Sequence, residues 1–277
     1  MELHEVKALR AFAAKIRIAA LDAIHSIGVG HLGGALSVCD VPSVLYGREM
    51  KYKVEDPKWP RRDKLVCSKG HAGPAVYATL ALKGFFPYDM LASLNQPGTN
   101  LPSHCDKNKT PGVDMTTGSL GQGTSLAVGL ALGDRLSGRD SRTFLIVGDG
   151  ELNEGQCWEA AMFTAAKKLT NITWIIDNNK RQLDGWTKNV LEPFDFEEKF
   201  RAFGFDAVTV KGDDVMGLHA ALTAPVGDKP RAIIMDSVKG AGVPDVENTF
   251  GNHSMSPSKD TCDKWLAELN AQLAAME

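Results

Sequence analysis

The sequence predicts an α/β fold, a parallel sheet with helices on both faces, from two strand-like runs and the helix-forming stretch between them. Arg142-Thr143-Phe144-Leu145-Ile146-Val147 leads into Gly148-Asp149-Gly150, and Trp174-Ile175-Ile176 leads into Asp177-Asn178-Asn179. Apolar, β-branched runs of this kind mark strands buried on both faces. Residues 154–168 between them are rich in helix formers. Strand and helix patterns go on alternating downstream, as a helix-covered parallel sheet requires.

Taken in order, residues 6–26 put Ala, Leu and Ile on one helical stripe and Lys7, Arg10, Lys15, Arg17 and Asp22 off it, and Gly28 and Gly30 end that helix. Residues 42–50 read as helix, and the prolines and charges of 54–62 as a surface loop. Leu65-Val66-Cys67 is a short buried strand, after which His71 opens another helix. Residues 95–117, with Pro97, Gly98, Pro102, Pro111 and Gly112, form a long irregular segment. Irregular stretches of that length in a compact domain usually serve function. A helix over 122–137 precedes the strand-helix-strand unit. A helix near 196–203, strands at 207–210 and 232–236 with helix 214–224 between them, and a helix at 259–276 complete the pattern. No internal repeat or low-complexity tract interrupts it, and one domain over 1–277 is the expected organisation.

Composition narrows the function. An apolar fraction of 43% and a charged fraction of 23% over 277 residues are those of a globular protein with a sizeable core. A net charge of -3 gives no electrostatic reason to expect nucleic acid or an anionic membrane as partner. No stretch reaches the ~18 apolar residues of a membrane span. Met1-Glu2-Leu3-His4-Glu5-Val6-Lys7 lacks the basic start and apolar segment of a secretory signal, so a cytoplasmic location is expected. Cysteines 39, 67, 105, 157 and 262 include no Cys-x-x-Cys pair and read as reduced thiols. His104-Cys105 lacks the second spaced pair of a closed zinc site.

The two polar strand ends carry the chemistry. Asp149 and Asn179 lie 30 positions apart. A right-handed strand-helix-strand crossover sets their carboxyl ends side by side, roughly 5 Å apart if the strands are neighbours. That edge is where open α/β sheets hold ligands. A carboxylate and an amide oxygen there, with Gly150 allowing close backbone approach, suit a hard cation that shares a phosphate. Magnesium carrying a diphosphate is the reading. No Gly-x-Gly-x-x-Gly turn opens the first helix after a strand, which counts against nicotinamide binding.

Gly-Asp-Gly, about thirty residues, then Asn resembles the signature of thiamine-diphosphate enzymes, and the chain resembles the amino-terminal half of transketolase. The resemblance runs from Ile16-Arg17 through Gly28-Val29-Gly30-His31, Asp56-Pro57-Lys58-Trp59-Pro60, Ser68-Lys69-Gly70-His71-Ala72, Thr116-Thr117-Gly118-Ser119-Leu120-Gly121-Gln122-Gly123 and Asp149-Gly150-Glu151, and ends near Pro257. It implies a thiamine-diphosphate-binding fold that holds the diphosphate end of the cofactor. It also implies that Asp149, Asn179 and the backbone carbonyl of Arg181 bind magnesium, while Gly150, Asn179 and His71 contact the diphosphate. Gly118 and Leu120 match positions lining the pyrimidine and thiazolium. His31, His71, His104 and His253 match histidines of the substrate channel, with His31, His104 and His253 as proton-handling groups and His253 also beside the cofactor. Lys239 matches a lysine near the diphosphate or substrate, against the alternative of a solvated side chain. Glu154 matches a subunit-boundary carboxylate that joins a proton relay, against a first-turn glutamate favouring the helix dipole. His4, His25 and His219 match nothing and are placed on helices or the surface.

Three departures bear on substrate. The usual His-Pro-Gly is His31-Leu32-Gly33, the usual Gly-His-Pro is Ser103-His104-Cys105, and the usual aromatic-His-Gly is Asn252-His253-Ser254. Proline fixes the backbone and glycine frees it, so a variant acceptor such as a branched or sulfonated sugar derivative is credible. The resemblance covers only the first part of full transketolases, whose second domain holds the pyrimidine and supplies a glutamate. A partner chain carrying that domain is therefore expected, two copies of each chain together. The function implied is transfer of a two-carbon ketol unit from a ketose to an aldose. Its alternatives are a subunit of another thiamine enzyme, deoxyxylulose-phosphate-synthase-like or 2-oxo-acid-decarboxylating, and a scaffold that kept the fold.

Overall fold

The computed structural model describes residues 1–276. Helix α1 (Leu3–Ile27) ends where Gly28 takes φ 77° and its N–H reaches back to the Ile24 and His25 carbonyls. Short helices α2 (Leu32–Leu36) and α3 (Asp40–Val44) follow, α3 running on into a π-helical turn at Leu45–Glu49. Then come β1 (Lys64–Cys67), α4 (Gly73–Leu82), α5 (Gln122–Leu136), β2 (Thr143–Gly148), α6 (Gly155–Ala166) and β3 (Ile172–Asn178). A small hairpin of β4 (Arg181–Gln182) and β5 (Gly185–Trp186) leads through α7 (Thr187–Val190) and α8 (Phe196–Ala202) to β6 (Asp206–Lys211). The chain finishes with α9 (Val215–Thr223), β7 (Arg231–Asp236), α10 (Pro244–Asn248) and α11 (Lys259–Met276).

The main sheet has the order β1-β2-β3-β7-β6, and every neighbouring pair is parallel. Alternate residues of its strands enter opposite cores, as the two-residue period of a strand demands. Phe144, Ile146 and Ile175 face a core shared with buried residues of α1, α4 and α11, whereas Leu145, Val147 and Ile176 face one shared with α5, α6 and α8. Both faces are thus covered, and truncating Ile175 or Ile176, each fully buried, to alanine removes about 2–5 kcal/mol. The apolar runs at 143–148 and 172–178 contain few polar side chains because neither face of their strands meets water.

Most predicted elements lie within a residue or three of their observed bounds, and 95–117 is irregular throughout. The differences have physical causes. The helix expected over 42–50 is split into α3 and the π-helical turn. His71 sits in a 3-10 turn, Gly70–Ala72, just ahead of α4. Helix α2, unforeseen in the sequence, contains Gly33 and Gly34, which are poor helix formers. Tertiary bonds hold it instead: the Gly33 N–H donates to the Asn252 carbonyl at 2.9 Å, and the Gly240 N–H to the Gly33 carbonyl at 3.0 Å. The β4–β5 hairpin, α7 and α10 were also unforeseen. All five cysteines are buried, and among the described residues no helix is long and apolar enough to cross a membrane.

Candidate active site

Asp149 directly follows β2 and Asn179 directly follows β3, and these strands are neighbours with Gly148 opposite Asp177. The Asp149 N–H donates to the Asp177 carbonyl at 3.1 Å, so the two arms of the expected clamp adjoin. Asp149 is 2% exposed; Oδ1 accepts from the Gly150 N–H at 2.8 Å and Oδ2 from Thr187 Oγ1 at 3.1 Å. Burial, and then the negative charge of Asp177, push its carboxyl up to about 6. Asn179 donates Nδ2 to Asp177 Oδ2 at 2.8 Å, while its Oδ1 accepts from the Arg181 N–H at 3.1 Å.

Arg181 lines the same cavity, of about 400 Å³, and its carbonyl lies 3.4 Å from the Nζ of Lys239, which lines it too. One carboxylate, one amide oxygen and one peptide carbonyl are an all-oxygen set, the chemistry that suits a hard divalent cation, and the raised Asp149 carboxyl is one a cation would return to its charged form. A Cβ at Gly150 would lie 2.7 Å from the Gln182 side chain, so only glycine lets the loop after β2 approach the hairpin this closely.

Four imidazoles line the same cavity. The His31 ring lies 5.6 Å from that of His71 and 5.3 Å from those of His104 and His253, and His71 and His253 are 4.8 Å apart. They come from four loops. The His31 and His253 loops are tied by a two-bond bridge, Gly30 N–H to the Met255 carbonyl at 3.0 Å and the reverse at 2.9 Å. Burial lowers the pKa of all four, that of His253 to about 4, with the Lys239 ammonium as its next cause. Lys239 is 4% exposed, so it is not the solvated lysine of the alternative reading; its Nζ lies 3.2 Å from His253 Nδ1, and burial followed by repulsion from Lys69 brings it down to about 8.

Gly118 and Leu120 line the cavity from the loop before α5. Gly118 takes φ 147°, and a Cβ there would lie 3.2 Å from the His104 ring. Glu154 stands at the cavity rim as the N-cap residue of α6, exposed and making no side-chain bond to the helix end. Every candidate site residue from the sequence thus lines one cavity. His4, His25 and His219 lie elsewhere, on α1 and α9, with His219 Nδ1 2.7 Å from Glu49.

Sequence reasoning missed the polar floor beneath this cavity. Lys69 Nζ donates to Asp177 Oδ2 at 2.5 Å, both side chains being essentially without solvent contact. Burial would raise Asp177, but the Lys69 ammonium and the hydroxyls of Ser237 and Ser37 outweigh it and hold the carboxyl below its usual range. Glu151 is buried as well; it accepts from Ser68 Oγ at 2.5 Å and from the N–H groups of Gly121 and Gly148 at 2.8 and 3.1 Å, which braces the loop before α5 against β2. The one signal in the sequence was a charge within two positions of the end of each of three apolar runs, at Lys69, Asp149 and Asp177, with nothing local to pair Lys69 with Asp177.

Comparison with known proteins gives the family. The family model described as the transketolase thiamine diphosphate binding domain matches residues 9–269. The chain is 45% identical over 261 residues to the 6-deoxy-6-sulfo-D-fructose transketolase subunit SqwG of Clostridium sp. (strain MSTE9), covering 93% of this chain and 94% of that one. It is 37% identical to an apulose-4-phosphate transketolase subunit of Actinobacillus succinogenes, covering 94% of each. Among solved structures, transketolase from Campylobacter jejuni superposes with a TM-score of 0.88 at 26% identity, over 99% of this chain but 43% of that one. The chain therefore spans under half the length of that solved transketolase, while it aligns over nearly the whole of the two subunits. The chain belongs to the transketolase family, as a thiamine diphosphate binding domain.

Proposed function

We propose that this chain is the diphosphate-holding subunit of a two-chain transketolase that moves a two-carbon ketol unit from a ketose to an aldose. One observation carries the reading: the oxygen donors and the four histidines converge on a single cavity. Bound thiamine diphosphate supplies a thiazolium carbon that serves as nucleophile and then as electron sink. Asp149, Asn179 and the Arg181 carbonyl would hold magnesium, and Gly150, Asn179 and His71 the diphosphate. Lys239 adds a positive charge beside them. His31 and His104, kept neutral by burial, each offer one N–H donor and one bare nitrogen toward substrate hydroxyls and the carbonyl, while neutral His253 takes the Lys239 ammonium on Nδ1 and offers its Nε2–H. A decarboxylating thiamine enzyme has no need of that proton-handling set, and a scaffold has no need of a buried oxygen-donor set.

The whole chain acts as one domain in this reading, and the pyrimidine-binding domain sits on a partner. The two relatives of matching length are themselves named as subunits. Leu183, which lines the cavity, and Phe250, which packs against Gly185 of the hairpin, are 70% and 62% exposed, apolar side chains suited to cover by a permanent partner. Two copies of each chain fit a symmetric assembly. Glu154, exposed at the rim, would join a proton relay with a second subunit. For substrate, Leu32, Cys105, Asn252 and Ser254 stand beside channel histidines where the usual pattern has proline, glycine or an aromatic residue, and a relative is named for a sulfonated ketose. The donor we infer is a sulfonated ketose. Purified complex should transfer a ketol unit from 6-deoxy-6-sulfo-D-fructose faster than from fructose 6-phosphate; the opposite preference would overturn the substrate reading.

A further inference from the structure

Asp177 sits beneath the clamp and touches both of its arms. Its carboxylate is buried and receives four donors from four segments: Lys69 Nζ at 2.5 Å and Ser37 Oγ at 2.7 Å on Oδ2, Ser237 Oγ on Oδ1, and Asn179 Nδ2 at 2.8 Å on Oδ2. Its backbone carbonyl accepts from the Asp149 N–H at 3.1 Å. A carboxylate held by an ammonium can only accept, so the Asn179 amide has one permitted orientation against it, nitrogen inward. The oxygen is then turned the other way, where the Arg181 N–H meets it at 3.1 Å.

We infer that Asp177 is the positioning residue of the cation clamp: it selects the Asn179 amide orientation that presents Oδ1 to the cation and ties that arm to Asp149. The inference rests on the cation reading above. Lys69, Ser37 and Ser237 serve it by fixing the carboxylate from three sides, so that it cannot rotate away. A plain buried ion pair would be satisfied by Lys69 alone and would leave Asn179 free to flip. Outer partners that orient a metal ligand commonly weigh 10- to 100-fold in affinity, and here the partner reaches the ligand through a single hydrogen bond.

The test titrates Mn²⁺ into the full chain with its partner and saturating thiamine diphosphate, with free and bound metal read by electron paramagnetic resonance. Asp177→Asn should weaken Mn²⁺ binding by about 10-fold or more. In an Asn179→Ala background, which keeps Asp149 and the diphosphate as ligands, the same change should cost nothing further, because its effect passes through Asn179. Lys69→Met/Asp177→Asn removes the charges of the ion pair together and keeps the test open if a lone buried ammonium unfolds the single variant; it should show the same loss. Parent-like affinity in the variant that folds, or an equal loss in both backgrounds, overturns the inference. A parent complex that binds no Mn²⁺ would instead overturn the cation reading, and this inference with it.

Discussion

Nζ of Lys239 lies 3.2 Å from Nδ1 of His253 and 3.4 Å from the carbonyl of Arg181, so one buried ammonium joins the histidine wall to the oxygen-donor wall of the cavity. Because burial and then Lys239 hold His253 down at about 4, removing the ammonium should let that imidazole protonate more readily. Lys239→Met is expected to raise the His253 titration midpoint, followed by NMR of the ring protons. An unchanged midpoint would remove Lys239 from its causes.

Acid should destabilise the chain through the same histidines. A histidine with a depressed pKa is neutral in the fold and gains its proton on unfolding. Its stabilising effect is complete above the ordinary 6.5 and is lost as pH falls toward the folded value, about 4 for His253. His31, His71 and His104 are shifted in the same direction. Tm should therefore fall between pH 7 and pH 5, and His31→Gln/His253→Gln should flatten that fall, as measured by scanning calorimetry. Parallel pH profiles for parent and variant would contradict it.

Asp149→Ala should abolish magnesium-dependent cofactor binding while the chain stays folded. The carboxyl is pushed up by burial and by Asp177, so its removal takes an unfavourable charge from the cofactor-free fold. We expect Tm without cofactor to hold or rise and the heat of thiamine diphosphate binding to vanish. Parental affinity in the variant would remove Asp149 from the clamp.

His31→Ala and His253→Ala should each lower turnover by about 10²-fold, the usual weight of a positioned acid-base group, with a smaller change in cofactor affinity. Single-turnover rates matching the parent for both would make the two rings bystanders.

Legibility in the sequence followed the range of the forces involved. Strands β2 and β3 were plain because burial on both faces leaves an unbroken apolar run, and the clamp followed because Asp149 and Asn179 end those runs. The four histidines could be gathered only by family resemblance, since four separate loops bring them together. Helix α2 was hidden because bonds from Asn252 and Gly240, far along the chain, outweigh the propensity of Gly33 and Gly34. The Lys69–Asp177 pair spans 108 positions, so a charge after each apolar run is visible locally but their pairing is not.

The central claim is that the cavity is half of an active site completed by a second polypeptide. The direct measurement is ketol transfer from a ketose donor to an aldose acceptor, by purified chain alone and after adding the candidate partner, with mass followed by light scattering. No transfer is expected from the chain alone, and transfer together with a larger, stable assembly is expected once the partner is present. Robust transfer by this polypeptide alone would contradict the claim.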